Sequence, residues 1–171
     1  NANKRHSGKT YQQLREDALQ YFKERSIPAA EKNTPPINFI TGIKKNNVTD
    51  YLFPYYVSDD TIVVTKRSYN EINTFYLLVN GREQKIRVKD YVTDDYYSYN
   101  NGKIVYAAYQ SDPRWANRDY SVIQLLDIHT KEQRQLSFRS KYFSPDINND
   151  GSEVLAVRVN PDGTNYLQRI N

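Results

Sequence analysis

The stretch Tyr142-Phe143-Ser144-Pro145-Asp146-Ile147-Asn148-Asn149-Asp150-Gly151, followed by Ser152 to Val159 and then Asn160-Pro161-Asp162-Gly163, decides the fold. A turn-rich lead-in opens onto a short apolar strand, and a Pro-Asp-Gly loop returns the chain into a second strand, Asn165 to Ile170. Asn and Asp bond their own backbone in such turns, and Gly supplies the positive φ they need. Two further segments superpose on this one. Ile62-Val63-Val64-Thr65 follows Asp59-Asp60, and Ile104-Val105-Tyr106-Ala107 follows Asn100-Asn101-Gly102, just as Val154-Leu155-Ala156-Val157 follows Asn149-Asp150-Gly151. The apolar runs begin 42 and 50 residues apart, close to the roughly 40 to 50 residues of one four-stranded propeller blade.

Each run is followed by a loop and another β-rich segment, at Phe75 to Val79, Tyr120 to Asp127 and Asn165 to Ile170. In the first two units a tight hairpin leads on to a further strand, through Asn80-Gly81 into Gln84 to Val88, and through His129-Thr130-Lys131 into Gln133 to Ser137. Asn-Gly between alternating apolar residues is a strong hairpin signal, because both turn residues accept positive φ. The expected architecture is mainly β: a partial β-propeller of about three four-stranded antiparallel blades, near residues 51–89, 90–138 and 139–171, the last incomplete. Propellers close with about four to eight blades. The 171 residues, which include no Met, therefore read as a piece of a larger protein that carries the remaining blades.

The N-terminal region has a different period. From Thr10 to Arg25 the residues Tyr11, Leu14, Ala18, Tyr21 and Phe22 share one helical face, and Thr10 with Gln13 forms a capping box. Ser26-Ile27-Pro28 ends this helical extension (1–28), and 29–50 reads as a linker, with its prolines between Ala29 and Pro36. The helix either packs on the first blade or a preceding domain, or serves as a partner-binding element. Asn1 to Lys9 has no apolar signal-peptide core, and no run approaches the eighteen or so apolar residues of a membrane helix.

Sixteen Tyr residues and an apolar content of 38% suit half-buried strands rather than disorder. The net charge of +4 comes from 24 cationic and 20 acidic residues that are interspersed. That pattern serves solubility rather than nucleic-acid binding, and Asp50, Asp59, Asp60, Asp90, Asp94 and Asp95 beside the aromatic clusters would repel phosphates. The absence of Cys excludes disulfides and thiolate metal sites. No G-x-S-x-G elbow, phosphate-cradling Gly-rich loop or His-Glu-x-x-His helix is present. His6 and His129 stand far apart, and His129 falls in a hairpin turn, so no catalysis is expected within this chain.

Two groups of residues are candidate sites. Loops joining the second and third strands of successive blades emerge on one face, which makes Lys66 to Asn73, Gln110 to Asp119 and Asn160 to Thr164 neighbours. This face carries Arg67, Tyr69, Asp112, Arg114, Trp115 and Arg118. A Trp flanked by Arg has the composition of a binding hot spot; the other reading folds Trp115 down against an adjacent blade. The second group, Asp146, Asn148 and Asp150 with Gly151, reproduces the first half of a calcium loop. Val157 stands where an EF-hand would place its bidentate Glu, which leaves either a Ca2+ loop with ligands from elsewhere or simple Asx turns.

Ser111-Asp112-Pro113-Arg114-Trp115, Arg118 to Ile123, Arg134-Gln135-Leu136-Ser137, and Tyr142-Phe143-Ser144-Pro145 with Asn149-Asp150-Gly151 together resemble the TolB-like, WD-type propeller repeat of large Gram-negative envelope proteins. The resemblance spans about Tyr51 to Ile170, with Asn148-Asn149 replacing the usual Ser-Pro before the Asp-Gly turn. It implies a periplasmic or outer-membrane-associated propeller that binds a protein or cell-envelope component without catalysis. It also admits an accessory propeller of an envelope peptidase or hydrolase whose catalytic domain lies outside these residues.

Overall fold

The computed structural model describes residues 8–25, 39–42, 45–115 and 117–170. The chain divides into two units, Asn1–Phe39 and Ile40–Asn171. His6, the Ser26-Ile27-Pro28 stop and the proline-bearing part of the linker lie outside the described residues.

In the first unit the expected helix is α1, Tyr11–Arg25. Its capping box is reciprocal: the Thr10 N–H donates to Gln13 Oε1 at 2.9 Å, and the Gln13 N–H donates to Thr10 Oγ1 at 3.3 Å. No residue of α1 is buried, and Tyr11, Tyr21 and Phe22 on its apolar face are exposed.

The second unit is built of antiparallel meanders. The first is a four-stranded sheet in the order β1 (Thr49–Ser58), β2 (Thr61–Ser68), β3 (Glu71–Val79) and β4 (Arg82–Val88). The next comprises β5 (Ser98–Asn100), β6 (Lys103–Ser111), β7 (Asp119–Asp127) and β8 (Gln133–Gln135), each paired with its sequence neighbour. The last comprises β9 (Lys141–Ile147), β10 (Val154–Val159) and β11 (Asn165–Ile170), with β11 at the sheet edge. One parallel bridge, Ser121 to Lys141, joins β7 to β9, so the last two meanders form a single seven-stranded sheet.

Turn chemistry sets these registers. Asn80-Gly81 and Asn101-Gly102 both have positive φ (49° and 76°, 44° and 75°), the geometry of the two-residue hairpin whose twist matches the strands. Two first strands carry the same bulge. The residue before proline, Phe53 in β1 and Ser144 in β9, adopts φ of 52° and 47°, and each strand there gains one residue against its partner.

The core lies between the meanders. Even-numbered residues of β6 and β7 (Ile104, Tyr106, Ala108, Val122, Leu126) pack with Val63, Phe75 and Ile86 of the first sheet. Their odd-numbered neighbours (Val105, Ala107, Ile123, Leu125) pack with Tyr142, Ile147, Val154 and Ala156 of the last meander. The middle meander is therefore covered on both faces, which explains its continuous apolar strands. Ser98 Oγ donates to Asp146 Oδ1 at 2.5 Å, and Asn100 Nδ2 donates to the Ile147 carbonyl at 3.2 Å, fixing β5 to β9.

The first interface is aromatic. Phe75 is buried at its centre, its ring 5.2 Å from that of Tyr97 and 5.4 Å from that of Tyr106. The buried Tyr97 hydroxyl donates to the Phe53 carbonyl (2.6 Å), beside the bulge, and its oxygen also lies 3.2 Å from the Val63 carbonyl oxygen. On the far side of the first sheet, Val64, Tyr76 and Leu78 form a smaller cluster. Lys66 roofs it, 2.5 Å from Glu83 and 3.5 Å from Glu71.

Candidate functional site

Two clefts lie at hairpin ends of the second unit, one at β2–β3 and one shared by β6–β7 and β10–β11. Arg67, Tyr69 and Ile72 from the first of them line a cleft of about 670 Å³ together with Lys89, Tyr91 and Asp95 from the β4–β5 connection. The Tyr109 N–H of β6 donates to the Tyr91 carbonyl at 2.8 Å, and the two rings meet edge to face at 5.4 Å, which brings the middle meander alongside. A second cleft, about 620 Å³, is lined by Arg118 and Tyr120 at the start of β7, Arg139 and Lys141 at the start of β9, and Arg158 and Asn160 at the end of β10. Of the three loops expected to be neighbours, β6–β7 and β10–β11 share the second cleft, while β2–β3 lines the first.

In the first cleft Arg67 is held between carboxylates, its Nε 3.1 Å from Asp50 and its NH1 2.9 Å from Asp95. Asn73 Nδ2 donates to the other oxygen of Asp95 at 2.8 Å. Tyr69 and Tyr91 stand at the rim, 85% and 73% exposed. Lys89 lies at the back, 4% exposed, with Nζ donating to the Asp95 carbonyl at 2.6 Å and lying 5.7 to 5.9 Å from the centres of the Phe75, Tyr97 and Tyr106 rings. Burial pulls its pKa down to about 8, against the opposing charges of Asp95 and Asp94.

The β6–β7 loop is shaped by Asp112. Its carboxylate accepts from the Arg114 N–H at 2.9 Å and the Tyr120 hydroxyl at 2.8 Å, and these two bonds hold it below the usual carboxylate range. The Asp112 N–H donates to the Arg118 carbonyl, and the Arg118 N–H to the Trp115 carbonyl, both at 2.9 Å. Trp115 stands 65% exposed at the tip, with Arg114 exposed beside it; the ring does not fold down. Asp112 therefore organises the loop, while Arg114 and Trp115 face outward. Arg118 reaches the second cleft, its guanidinium 5.6 Å from the Tyr120 ring centre.

The oxygens of the calcium-like loop bond to protein groups. Asp146 Oδ1 accepts from Ser98 Oγ, Asn148 Oδ1 from the N–H groups of Ser152 (2.9 Å) and Glu153 (3.0 Å), and Asp150 Oδ1 from the Ser152 N–H (2.8 Å). These are Asx-type turns that lead into β10. Among the described residues no group of three or more His, Cys, Asp or Glu is placed to hold a metal ion. His129 is exposed at its hairpin, where Asp127 Oδ1 accepts its N–H at 2.8 Å. No described helix is long and apolar enough to cross a membrane.

Sequence reading found Arg67, Tyr69 and Arg118 but missed Tyr91, Lys89, Arg139, Lys141 and Arg158. Tyr91 and Lys89 follow a strand directly, a position that by itself does not mark a site. The three cations join Arg118 only through the pairing of β9 with β7 and of β10 with β9. Models of known protein families and curated proteins, compared with this chain, give no match.

Proposed function

We propose that the second unit is a run of β-propeller blades serving as a non-catalytic scaffold, and that its hairpin end binds a protein or cell-envelope component. The carrying observation is that Tyr69 and Tyr91 stand exposed at the rim of one cleft beside Arg67, and that Trp115 stands exposed at the tip of the β6–β7 loop between Arg114 and Arg118. Aromatic and Arg anchors are the residues that dominate interface energetics. Three successive meanders packed face to face support the blade reading. So does the difference between the outer faces: Lys66, Glu71 and Glu83 roof the first, whereas Leu155 and Leu167 are exposed on the last, beside the edge strand β11. Further blades in the parent protein would cover that face. The cell-envelope setting follows the TolB-like resemblance.

Photo-crosslinking residues placed at Tyr69 and Trp115, with His129 at another hairpin as control, test this reading in extracts of the source cells. The same discrete partner should be captured from Tyr69 and Trp115 and not from His129. Equal capture from all positions would refute the assignment of the binding end.

A further inference from the structure

We propose that the second cleft binds an acidic peptide segment of a protein partner. The inference rests on the reading of the hairpin end as a binding face and names the chemistry recognised there. Four cationic side chains, Arg118, Arg139, Lys141 and Arg158, line the cleft against one carboxylate, Asp119. That carboxylate is occupied by Lys141, at 2.8 Å. Asp112 lies close enough for its charge to be felt by Arg118, but its oxygens are committed to the Arg114 N–H and Tyr120 hydroxyl. Among the described residues, Arg118, Arg139 and Arg158 form no ion pair with a carboxylate. A guanidinium fork presents two parallel N–H donors to a carboxylate, and three of them in one cleft favour a ligand with several anionic groups.

The cations are also held in position. The Arg158 guanidinium lies 5.9 Å from the ring centres of both Tyr142 and Tyr166, and its NH1 is 3.4 Å from Gln168 Oε1. Arg118 lies over Tyr120. Arg139 takes a φ of 47°, a left-handed conformation that a bulky side chain adopts only where its surroundings impose it. Preorganised donors lose less freedom on binding than mobile surface ones. A volume of about 620 Å³ exceeds what a lone oxyanion fills, and Val159 and Pro161 give part of the wall an apolar surface suited to peptide side chains.

A fluorescently labelled peptide of about six glutamates, with a glutamine counterpart, tests the inference by anisotropy on the whole chain at low and physiological salt. The acidic peptide should bind and the neutral one should not. Arg118→Gln with Arg139→Asn, where Asn tolerates the positive φ, should weaken binding about tenfold. Arg82→Gln with Arg134→Gln, which removes the same number of charges away from the cleft, should leave it unchanged. Circular dichroism on each variant separates loss of binding from loss of fold. Absence of peptide binding, equal weakening in both double variants, or equally tight binding of inorganic phosphate or an oligonucleotide would overturn the inference. If the peptide fails while Tyr69 and Trp115 still crosslink to a partner, the scaffold reading stands and the acidic ligand falls; if both fail, both fall.

Discussion

Replacing Lys89 with Met should remove a stability gain that the native protein shows between neutral and alkaline pH. The ammonium is 4% exposed between the first two meanders, and burial lowers its pKa from an ordinary 10.5 to about 8. The folded chain then binds this proton less tightly than the unfolded chain. Below pH 8 both states carry the charge and the full burial cost applies. Between pH 8 and 10.5 the unfolded chain holds more protons, so stability rises with pH. At roughly 1.4 kcal/mol per unit, the shift corresponds to about 3 kcal/mol, of which about 2 kcal/mol appears between pH 7 and pH 9.8. Tyr97 and Tyr106, pushed above the usual phenol range chiefly by burial, oppose the trend as the unfolded phenols begin to ionise near pH 10, as do Tyr51, Tyr55, Tyr76, Tyr99 and Tyr120, and they do so equally in the native chain and the variant. Urea unfolding followed by circular dichroism at several pH values measures the effect. Met keeps the apolar contact with the three rings, so Lys89→Met should lack the rise, and the native chain should gain about 2 kcal/mol on the variant between pH 7 and pH 9.8. Parallel profiles for the native chain and the variant would refute a desolvated ammonium at this position.

Other consequences are local. Tyr97→Phe removes the bond to the Phe53 carbonyl without opening a cavity, and should cost about 1 to 3 kcal/mol in the same unfolding assay. Gly102→Ala would place a Cβ 2.9 Å from His129 Nε2 at a φ of 75°, and should destabilise by about 1 to 2 kcal/mol; adding His129→Ala should recover only the steric part. Lys66→Ala strips the cover from Tyr76 and leaves Glu83 and Glu71 without this ammonium, and should cost on the order of 1 to 3 kcal/mol and lower the thermal midpoint. Because Asn148 and Asp150 already accept backbone N–H groups, Ca2+ at about 1 mM should leave the thermal midpoint unchanged; a saturable rise would establish a calcium loop.

What the sequence made legible is what local chemistry dictates. Asn80-Gly81 and Asn101-Gly102 announced hairpins, and the strands expected at Tyr120 to Asp127 and Asn165 to Ile170 correspond to β7 and β11 within one residue. The capping box of α1 was readable for the same reason: its partners are three residues apart. The first strand of a meander was harder to see. Tyr51-Leu52-Phe53-Pro54 looks like a strand breaker, yet Phe53-Pro54 repeats the bulge at Ser144-Pro145, and aligning those prolines would have extended β1 to Ser58. The candidate site divides along the same line. Trp115 and its flanking Arg stood together in sequence, whereas Arg139 and Arg158 join Arg118 only because β9 pairs with β7 and β10 with β9. Lys89 hid because a lysine after a strand ordinarily points to water, and only the aromatic interface encloses it.

The account depends most on the middle meander being covered on both faces, and proton–proton contacts in solution measure that directly. Nuclear Overhauser spectra should connect the Phe75 ring to those of Tyr97 and Tyr106, and also connect the methyl groups of Ala107 and Ile123 to those of Val154 and Ala156. Contacts of both kinds in one sample are the predicted result. Contacts on a single face, with the other set absent from a folded chain, would contradict the stacked arrangement on which the blade reading and both clefts rest.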